Sequence, residues 1–219
     1  MSRILFILTN HDRMLNGEPT GLWLEEFAVP YQMLREAGHE VSVASVAGGE
    51  VPIDPNSSVD DEQAKVWQDA IDELAATPAF DTLDATRFDA VYLPGGHGTV
   101  FDMPYNGKLH ALLFSFADTD RIIASVCHAP AVFGGMRRDD GTPFIEGRRV
   151  AGFTDSEERA AGGEAKVPFL LESRLKALGA QHEAAEDWHP LAVQDGRLIT
   201  GQNPQSSAAV AEKLIAALG

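Results

Sequence analysis

The stretch Arg121-IIASVCHAPAVF-Gly134 contains an abrupt change from a strand pattern to a helix pattern. Residues 122–126 are apolar and rich in β-branched side chains, which is typical of a strand buried on both faces of a parallel sheet. A helix-like segment then begins at about Pro130. Cys127 therefore ends a central strand, and we expect its thiol at the carboxyl edge of the sheet.

Cys127 is the only cysteine in the chain. Small residues, Ser125 and Ala129, flank it at two positions on each side, as a sharp nucleophile elbow requires. Unpaired N–H groups at the start of a helix would favour the thiolate, the reactive form. We interpret Cys127 as a nucleophile. The alternative interpretation is a small buried apolar residue, which describes most lone cysteines.

Further strand patterns alternate with helix-like segments along the chain. They cover residues 3–9, 40–46, 90–94 and 149–153. This alternation predicts an α/β fold with a doubly wound, mainly parallel sheet sandwiched by helices, and it places active sites at the carboxyl ends of the strands.

One segment departs from the alternating pattern. Residues 48–88 contain a Pro/Asp/Ser-rich turn and then an amphipathic acidic helix over about 62–74, which we interpret as a small inserted helical cap. Residues 134–148 predict a hairpin or surface loop, residues 191–201 two short strands around an Asp-Gly turn, and residues 206–218 a closing helix. We predict one domain over 1–219.

Glu26 lies on the predicted helix that follows Thr20 and ends before Gly38. Helical spacing places Glu26 on the apolar face and Glu25 on the wetter side. Pro30 has no N–H to donate to the Glu26 carbonyl, so the regular backbone hydrogen bonding of the helix is interrupted at the residue that carries this carboxyl group. A desolvated carboxyl tends to stay protonated and could exchange protons with a substrate. The alternative is a glutamate that reaches solvent from the edge of the helix.

Three glycines follow the strand pattern at 90–94. Gly95, Gly96 and Gly98 let backbone approach a ligand closely, and their N–H groups can bind an anion. A phosphate loop is the alternative, but the spacing fits neither nucleotide motif and no basic residue is adjacent. We expect instead an oxyanion site formed by the N–H groups of Gly96 and His128.

Composition limits the possible partners. Seventeen basic and 33 acidic residues give a net charge of −16, which would repel nucleic acid and anionic membranes. The apolar run at residues 4–8 is too short for a secretion signal, and no run is long enough to span a membrane. We expect a cytoplasmic protein. The seven histidines include no HExxH pair, so no metal site is predicted.

These elements together resemble the ThiJ/PfpI superfamily, relatives of class I glutamine amidotransferases. The resemblance rests on Thr20-GLWLEEFAV-Pro30, Leu93-PGGHG-Thr99 and Ala124-SVCHAP-Ala131, in matching order and spacing. Two later segments, Gly152-FTDSEE-Arg159 and Thr200-GQNPQSS-Ala208, resemble the branch that contains heat-shock chaperones and glutathione-independent glyoxalases (glyoxalase III).

The resemblance implies a flavodoxin-like sheet and a catalytic Cys127, with His128 as its partner and Glu26 as the acid/base. A third acid is implied within residues 152–159. Glu158 is favoured by its position relative to Gly152, and Glu157 and Asp155 compete with it. Gly95, Gly96 and His97 are expected to shape the oxyanion and substrate pocket, and the rim is expected to include His11, Trp188 and His189.

The implied chemistry needs no cofactor. Cys127 would add to the aldehyde of methylglyoxal or glyoxal, Glu26 would move a proton between the two substrate carbons, and water would release lactate or glycolate. Two alternatives use the same cysteine: a stress chaperone with a redox-sensing thiol, and an amidase, peptidase or protein deglycase. The resemblance also implies a homodimer.

Overall fold

A computed structural model describes all 219 residues. The strands are β1 (Arg3–Leu8), β2 (Glu40–Ser45), β3 (Ala90–Leu93), β4 (Ile122–Val126), β5 (Arg149–Val150), β6 (Gln181–His182), β7 (Ala192–Asp195) and β8 (Leu198–Gly201). The α-helices are α1 (Leu24–Glu36), α2 (Asp61–Val66), α3 (Gln68–Glu73), α4 (Thr99–Asp102), α5 (Gly107–Ala117), α6 (Asp155–Ala160), α7 (Leu171–Ala177) and α8 (Ser207–Leu218). None of the helices is long and apolar enough to cross a membrane.

Six strands form one sheet in the order β2-β1-β3-β4-β8-β7. All pairs are parallel except β7 with β8, which form the predicted hairpin around the Asp195-Gly196 turn. The central strand β4 is buried along its whole length, because helices cover both faces of the sheet. The predicted α/β class with a mainly parallel sheet is confirmed. The carboxyl ends of β3, β4 and β8 are adjacent, with Leu93 opposite Ser125 and Val126 opposite Gly201.

The prediction of a sheet strand over 149–153 is wrong. Only Arg149–Val150 is a strand, and it pairs in parallel with β6 in a separate sheet of two strands. The next residues make other contacts: the Ala151 N–H donates to the Thr200 hydroxyl (2.7 Å) and the Phe153 N–H to the Cys127 carbonyl (2.9 Å). Residues 151–153 therefore leave the two-stranded sheet and contact the end of β4.

The inserted segment also differs from its prediction. The single helix expected over 62–74 is interrupted at Trp67, whose backbone (φ −97°, ψ 12°) separates α2 from α3. The Trp67 side chain, 7% exposed, joins the hydrophobic core, while the neighbouring Val66 is 60% exposed.

The first helix starts later than Thr20. Helix α1 begins at Leu24, and no side chain caps it. The Thr20 hydroxyl instead donates to the buried Asp54 carboxylate (2.8 Å), and the Leu24 N–H donates to the Ser57 hydroxyl (3.1 Å). The inserted segment thus fixes the start of the helix that carries Glu26.

Candidate active site

Cys127 occupies a strained turn between β4 and the short 3-10 helix Ala129–Gly134. Its φ is 59°, in the left-handed region that residues other than glycine seldom adopt. The Cys127 N–H donates to the Gly201 carbonyl (3.0 Å), and the Cys127 carbonyl accepts from the Phe153 N–H (2.9 Å). Neighbouring segments therefore impose this conformation, which is the geometry of a nucleophile elbow.

Glu26 reaches the thiol from α1 and is fully buried, whereas Glu25 is partly exposed. One of its oxygens, Oε2, accepts a hydrogen bond from the Gly95 N–H (2.8 Å), and the other, Oε1, has no hydrogen-bond partner. Burial raises the pKa of Glu26 to about 8, although the nearby Cys127 thiol and the Gly95 N–H act in the opposite direction. The carboxyl group therefore holds a proton at neutral pH and faces the sulfur.

His128 also contacts the thiol. Its Nδ1 lies 3.1 Å from the Cys127 sulfur, and its Nε2 lies 2.7 Å from Oε2 of Glu158. A carboxylate accepts hydrogen bonds only, so Nε2 must carry the proton and Nδ1 keeps a free lone pair. The contact with Glu158 thus selects the tautomer that can accept the thiol proton.

The structure distinguishes the three acidic residues that were candidates for the third acid of the site. Glu158 is 2% exposed and contacts His128. Glu157, 0% exposed, accepts hydrogen bonds from Thr154, Asn203 and the Trp188 backbone instead. Asp155 binds the first turn of α7 through Ser173. Only Glu158 faces His128, because successive residues of α6 point in different directions.

His97 contacts the same carboxylate. Its Nε2 lies 2.8 Å from Oε1 of Glu158, and its ring packs on the His128 ring with a centroid distance of 4.0 Å. Nothing local in the sequence indicated this contact, since His97 and Glu158 are 61 positions apart. His97 follows β3 of the central sheet, whereas Glu158 follows β5 of the separate two-stranded sheet, so only the tertiary structure brings them together.

The surroundings of His128 favour a neutral ring. Burial lowers the pKa of His128, and the neighbouring His97 acts in the same direction. Burial alone would raise the pKa of Glu158, but its contacts with His128 and His97 hold that pKa well below its ordinary value. The arrangement is an ionised carboxylate between two imidazole N–H donors.

The thiol differs from its sequence-based expectation. Burial raises the pKa of Cys127 well above its ordinary value, and the charge of Glu26 acts in the same direction. The Gly96 N–H opposes this shift, but no α-helix begins at the cysteine. Attack by the sulfur must therefore be coupled to transfer of the thiol proton, for which His128 Nδ1 is in place.

The two adjacent glycines after β3 have different roles. The Gly95 N–H is occupied by Glu26, so it does not join the Gly96 N–H as an oxyanion donor. A Cβ on Gly95 would lie 2.5 Å from the Glu26 carboxylate and 2.9 Å from the His128 nitrogen, so the loop requires glycine here. Gly96 has φ 98° and a Cβ there would meet the Gly21 carbonyl at 2.3 Å. The Gly96 N–H faces the sulfur.

The three residues expected at the rim lie outside this cluster. His11 stacks on Phe101 (4.3 Å), and His189 is exposed and hydrogen-bonds to the Asp187 carbonyl. Trp188, 43% exposed, packs edge-on against Phe153, which in turn packs on His128. Only Trp188 is therefore connected to the site, through Phe153.

The fold also brings together a set of potential metal ligands that the sequence did not reveal. Ligand atoms of His97, His128 and Glu158 lie within 4.8 Å of one another. Each Nε2 already has a hydrogen bond to the carboxylate. Their mutual bonding accounts for the close approach of these groups.

Access to the sulfur is narrow. Cys127 is 2% exposed and His128 1% exposed, and the main surface cavities are lined by other residues. The His97 side chain, 15% exposed, is the most open member of the cluster. Such a site fits a substrate of a few heavy atoms better than a folded protein or a peptide.

Comparison with known proteins gives full-length matches. Glyoxalase 3 of Candida albicans is 29% identical over 99% of this chain and 98% of its own length. The glutathione-independent glyoxalase HSP31 of Saccharomyces cerevisiae is also 29% identical, over 99% of this chain and 98% of that protein.

Solved structures agree with these matches. The crystal structure of glyoxalase III from Candida albicans superposes with a TM-score of 0.87 at 28% identity, covering 99% of this chain and 97% of that chain. The Rapid Encystment Protein 24 kDa of Francisella tularensis superposes over the whole of both chains with a TM-score of 0.94 at 31% identity. The family model described as DJ-1/PfpI matches residues 20–217, which confirms the resemblance drawn from the three motifs. This chain is a member of the DJ-1/PfpI family.

Proposed function

We propose that the protein is a glutathione-independent glyoxalase that converts methylglyoxal or glyoxal to lactate or glycolate. The observation that carries this proposal is the buried Glu26 carboxyl group facing the Cys127 thiol, with His128 Nδ1 at 3.1 Å from the sulfur. The similarity to glutathione-independent glyoxalases over the full chain supports the same reaction. The burial of the thiol favours a small dicarbonyl substrate over the protein substrates of a peptidase or deglycase.

In the first step the thiol proton passes to His128 Nδ1, 3.1 Å away, and the sulfur adds to the aldehyde carbon. The new oxygen receives that proton and becomes the hydroxyl of a hemithioacetal. The Gly96 N–H, which faces the sulfur, would stabilise the negative charge that develops on this oxygen.

In the second step Glu26 moves a proton between the two substrate carbons. It gives its proton to the second carbonyl oxygen and takes the hydrogen of the former aldehyde carbon as a proton, so that an enediol forms. It then returns this proton to the second carbon and takes the proton of the hemithioacetal hydroxyl, which leaves the thioester carbonyl and restores protonated Glu26. The product is a thioester of 2-hydroxy acid and Cys127. A pKa of about 8 suits this role, because a group that titrates near neutral pH can both accept and return a proton.

The reaction is tested with wild-type protein and two variants on methylglyoxal in the absence of glutathione. Cys127→Ala removes the nucleophile and should abolish turnover. Glu26→Gln keeps the shape of the side chain but not its acid/base chemistry, and kcat should fall by about 100-fold or more. The matched control is Glu25→Gln, because Glu25 is the preceding residue and is partly exposed. Full turnover by either Cys127→Ala or Glu26→Gln would rule the proposal out.

A further inference from the structure

One carboxylate serves two imidazole rings. Glu158 accepts from His128 at Oε2 (2.7 Å) and from His97 at Oε1 (2.8 Å). The bridging geometry depends on Gly163, because a Cβ there would lie 3.4 Å from His97 Nε2 and would overlap Oε1 of Glu158. The mechanism above uses only one of these two rings.

The contact with Glu158 orients both rings in the same way. Each ring donates through Nε2, so each keeps a lone pair on Nδ1. The Nδ1 of His128 faces the sulfur at 3.1 Å. His97 makes its only side-chain hydrogen bond through Nε2, so its Nδ1 stays available as a base.

The two rings differ in access to water. The His128 side chain is 2% exposed and the His97 side chain 15% exposed, and the rings are stacked at 4.0 Å. Solvent water therefore has readier access to His97 than to His128. His128 Nδ1 lies 3.1 Å from the sulfur, the leaving group of thioester hydrolysis, and so is placed to protonate that group.

We propose that His97 is a second general base, which activates the water that hydrolyses the Cys127 thioester. This inference rests on the proposed glyoxalase function and assigns its last step. Water gives one proton to His97 Nδ1, its oxygen bonds to the thioester carbon, and the carbon–sulfur bond breaks. The proton of the new carboxylic acid passes to the sulfur by way of His128 Nδ1, and His97 releases its proton to solvent. The products are the 2-hydroxy acid anion, the thiol and one proton, so atoms and charge balance.

The test follows the acyl group on Cys127 by rapid mixing with methylglyoxal, an acid quench and mass spectrometry of the intact protein. In His97→Gln the thioester should form at close to the wild-type rate and then accumulate, while kcat falls by about 100-fold. The control is His39→Gln, since His39 lies at the start of β2, where it accepts from the Ser2 N–H, away from this cluster. The control should behave as wild type.

A second variant separates catalysis from a structural role. In His97→Ala, imidazole added to the solution should restore release of the acyl group, because the deleted ring was partly exposed. Wild-type turnover by His97→Gln, or slow turnover without accumulation and without imidazole rescue, would overturn the role of His97. If wild-type protein consumes no methylglyoxal and forms no thioester, the proposed function itself fails.

Discussion

Glu26 couples the stability of the protein to pH. Its pKa is about 8 in the folded chain against 4.5 for an ordinary glutamate. Below about pH 4.5 the group is protonated in both folded and unfolded chains. Between that pH and about 8 this group ionises only in the unfolded chain, so the contribution of Glu26 to the free energy of unfolding should fall as pH rises through this window.

Urea denaturation at several pH values measures this effect. Glu26→Gln should remove the decline, because the amide stays neutral in both states. Glu62→Gln, a change at an exposed position of α2, should leave the decline in place. A wild-type profile that rises with pH between 5 and 8 and matches that of Glu26→Gln would contradict a buried, protonated Glu26.

Gly95 gives a second prediction about a single position. A methyl group there would lie 2.5 Å from the Glu26 carboxylate and 2.6 Å from the Val126 carbonyl. Gly95→Ala should therefore displace Glu26 and lower the rate of methylglyoxal turnover by at least about 10-fold. Gly107→Ala is the control, because nothing lies within 4 Å of a Cβ at that position. Equal turnover by the two variants would show that the Gly95 contact does not position Glu26.

The residues of the site differ in how far the sequence could predict them. Cys127 and Glu26 carry local signals, a strand-to-helix change and a carboxyl group on an apolar face. The choice among Asp155, Glu157 and Glu158 depends on the direction in which α6 enters the site, and single-sequence patterns do not fix that direction. The contact of His97 with Glu158 depends on tertiary structure in the same way.

Glu157 anchors the helix that carries Glu158. Its Oε1 accepts from the Trp188 N–H (2.8 Å), Asn203 Nδ2 (2.7 Å) and Gln202 Nε2 (3.1 Å). Trp188 has φ 63°, so this contact also holds a strained residue in place. The other oxygen, Oε2, accepts from the Thr154 N–H (3.1 Å), so an amide that keeps its oxygen at the Oε1 position would direct its own N–H groups at this donor.

Glu157→Gln should therefore loosen α6 together with the segment around Trp188. We expect the free energy of unfolding to fall by about 2–3 kcal/mol, the cost of unsatisfied buried polar groups. Urea denaturation and hydrogen exchange over 154–160 and 185–189 measure this change. Glu164→Gln is the control, because Glu164 makes only an exposed ion pair with Arg159. Unchanged exchange in Glu157→Gln would contradict the anchoring role.

The elements were predicted well where burial is uniform and poorly where distant contacts override local pattern. The strands β1 to β4 lie where the apolar runs predicted them. The segment 149–153 does not form a strand of the central sheet, because its backbone N–H groups donate to the Thr200 hydroxyl and the Cys127 carbonyl. The helix predicted to follow Thr20 begins only at Leu24, and the Thr20 hydroxyl donates instead to Asp54, 34 positions away.

For the whole chain we propose a single folding unit over 1–219. One core cluster of 52 buried residues contains side chains from the central sheet and, from the segment 48–88, Trp67 and Phe80. Far-UV and near-UV circular dichroism should therefore report one coincident unfolding transition in urea. Two separated transitions, with the segment 48–88 lost first, would contradict this proposal. The homodimer stays a prediction, which light scattering of the intact protein tests.

The identity of the lactate formed from methylglyoxal without glutathione tests the central claim most directly. One buried carboxyl group that returns a proton to one face of a fixed enediol should give a single enantiomer of lactate. Chiral chromatography of the product mixture from wild-type protein measures this, with Cys127→Ala as the blank. A racemic product, or lactate formed at the same rate by the blank, would contradict an account in which Cys127 and Glu26 act together on one bound substrate.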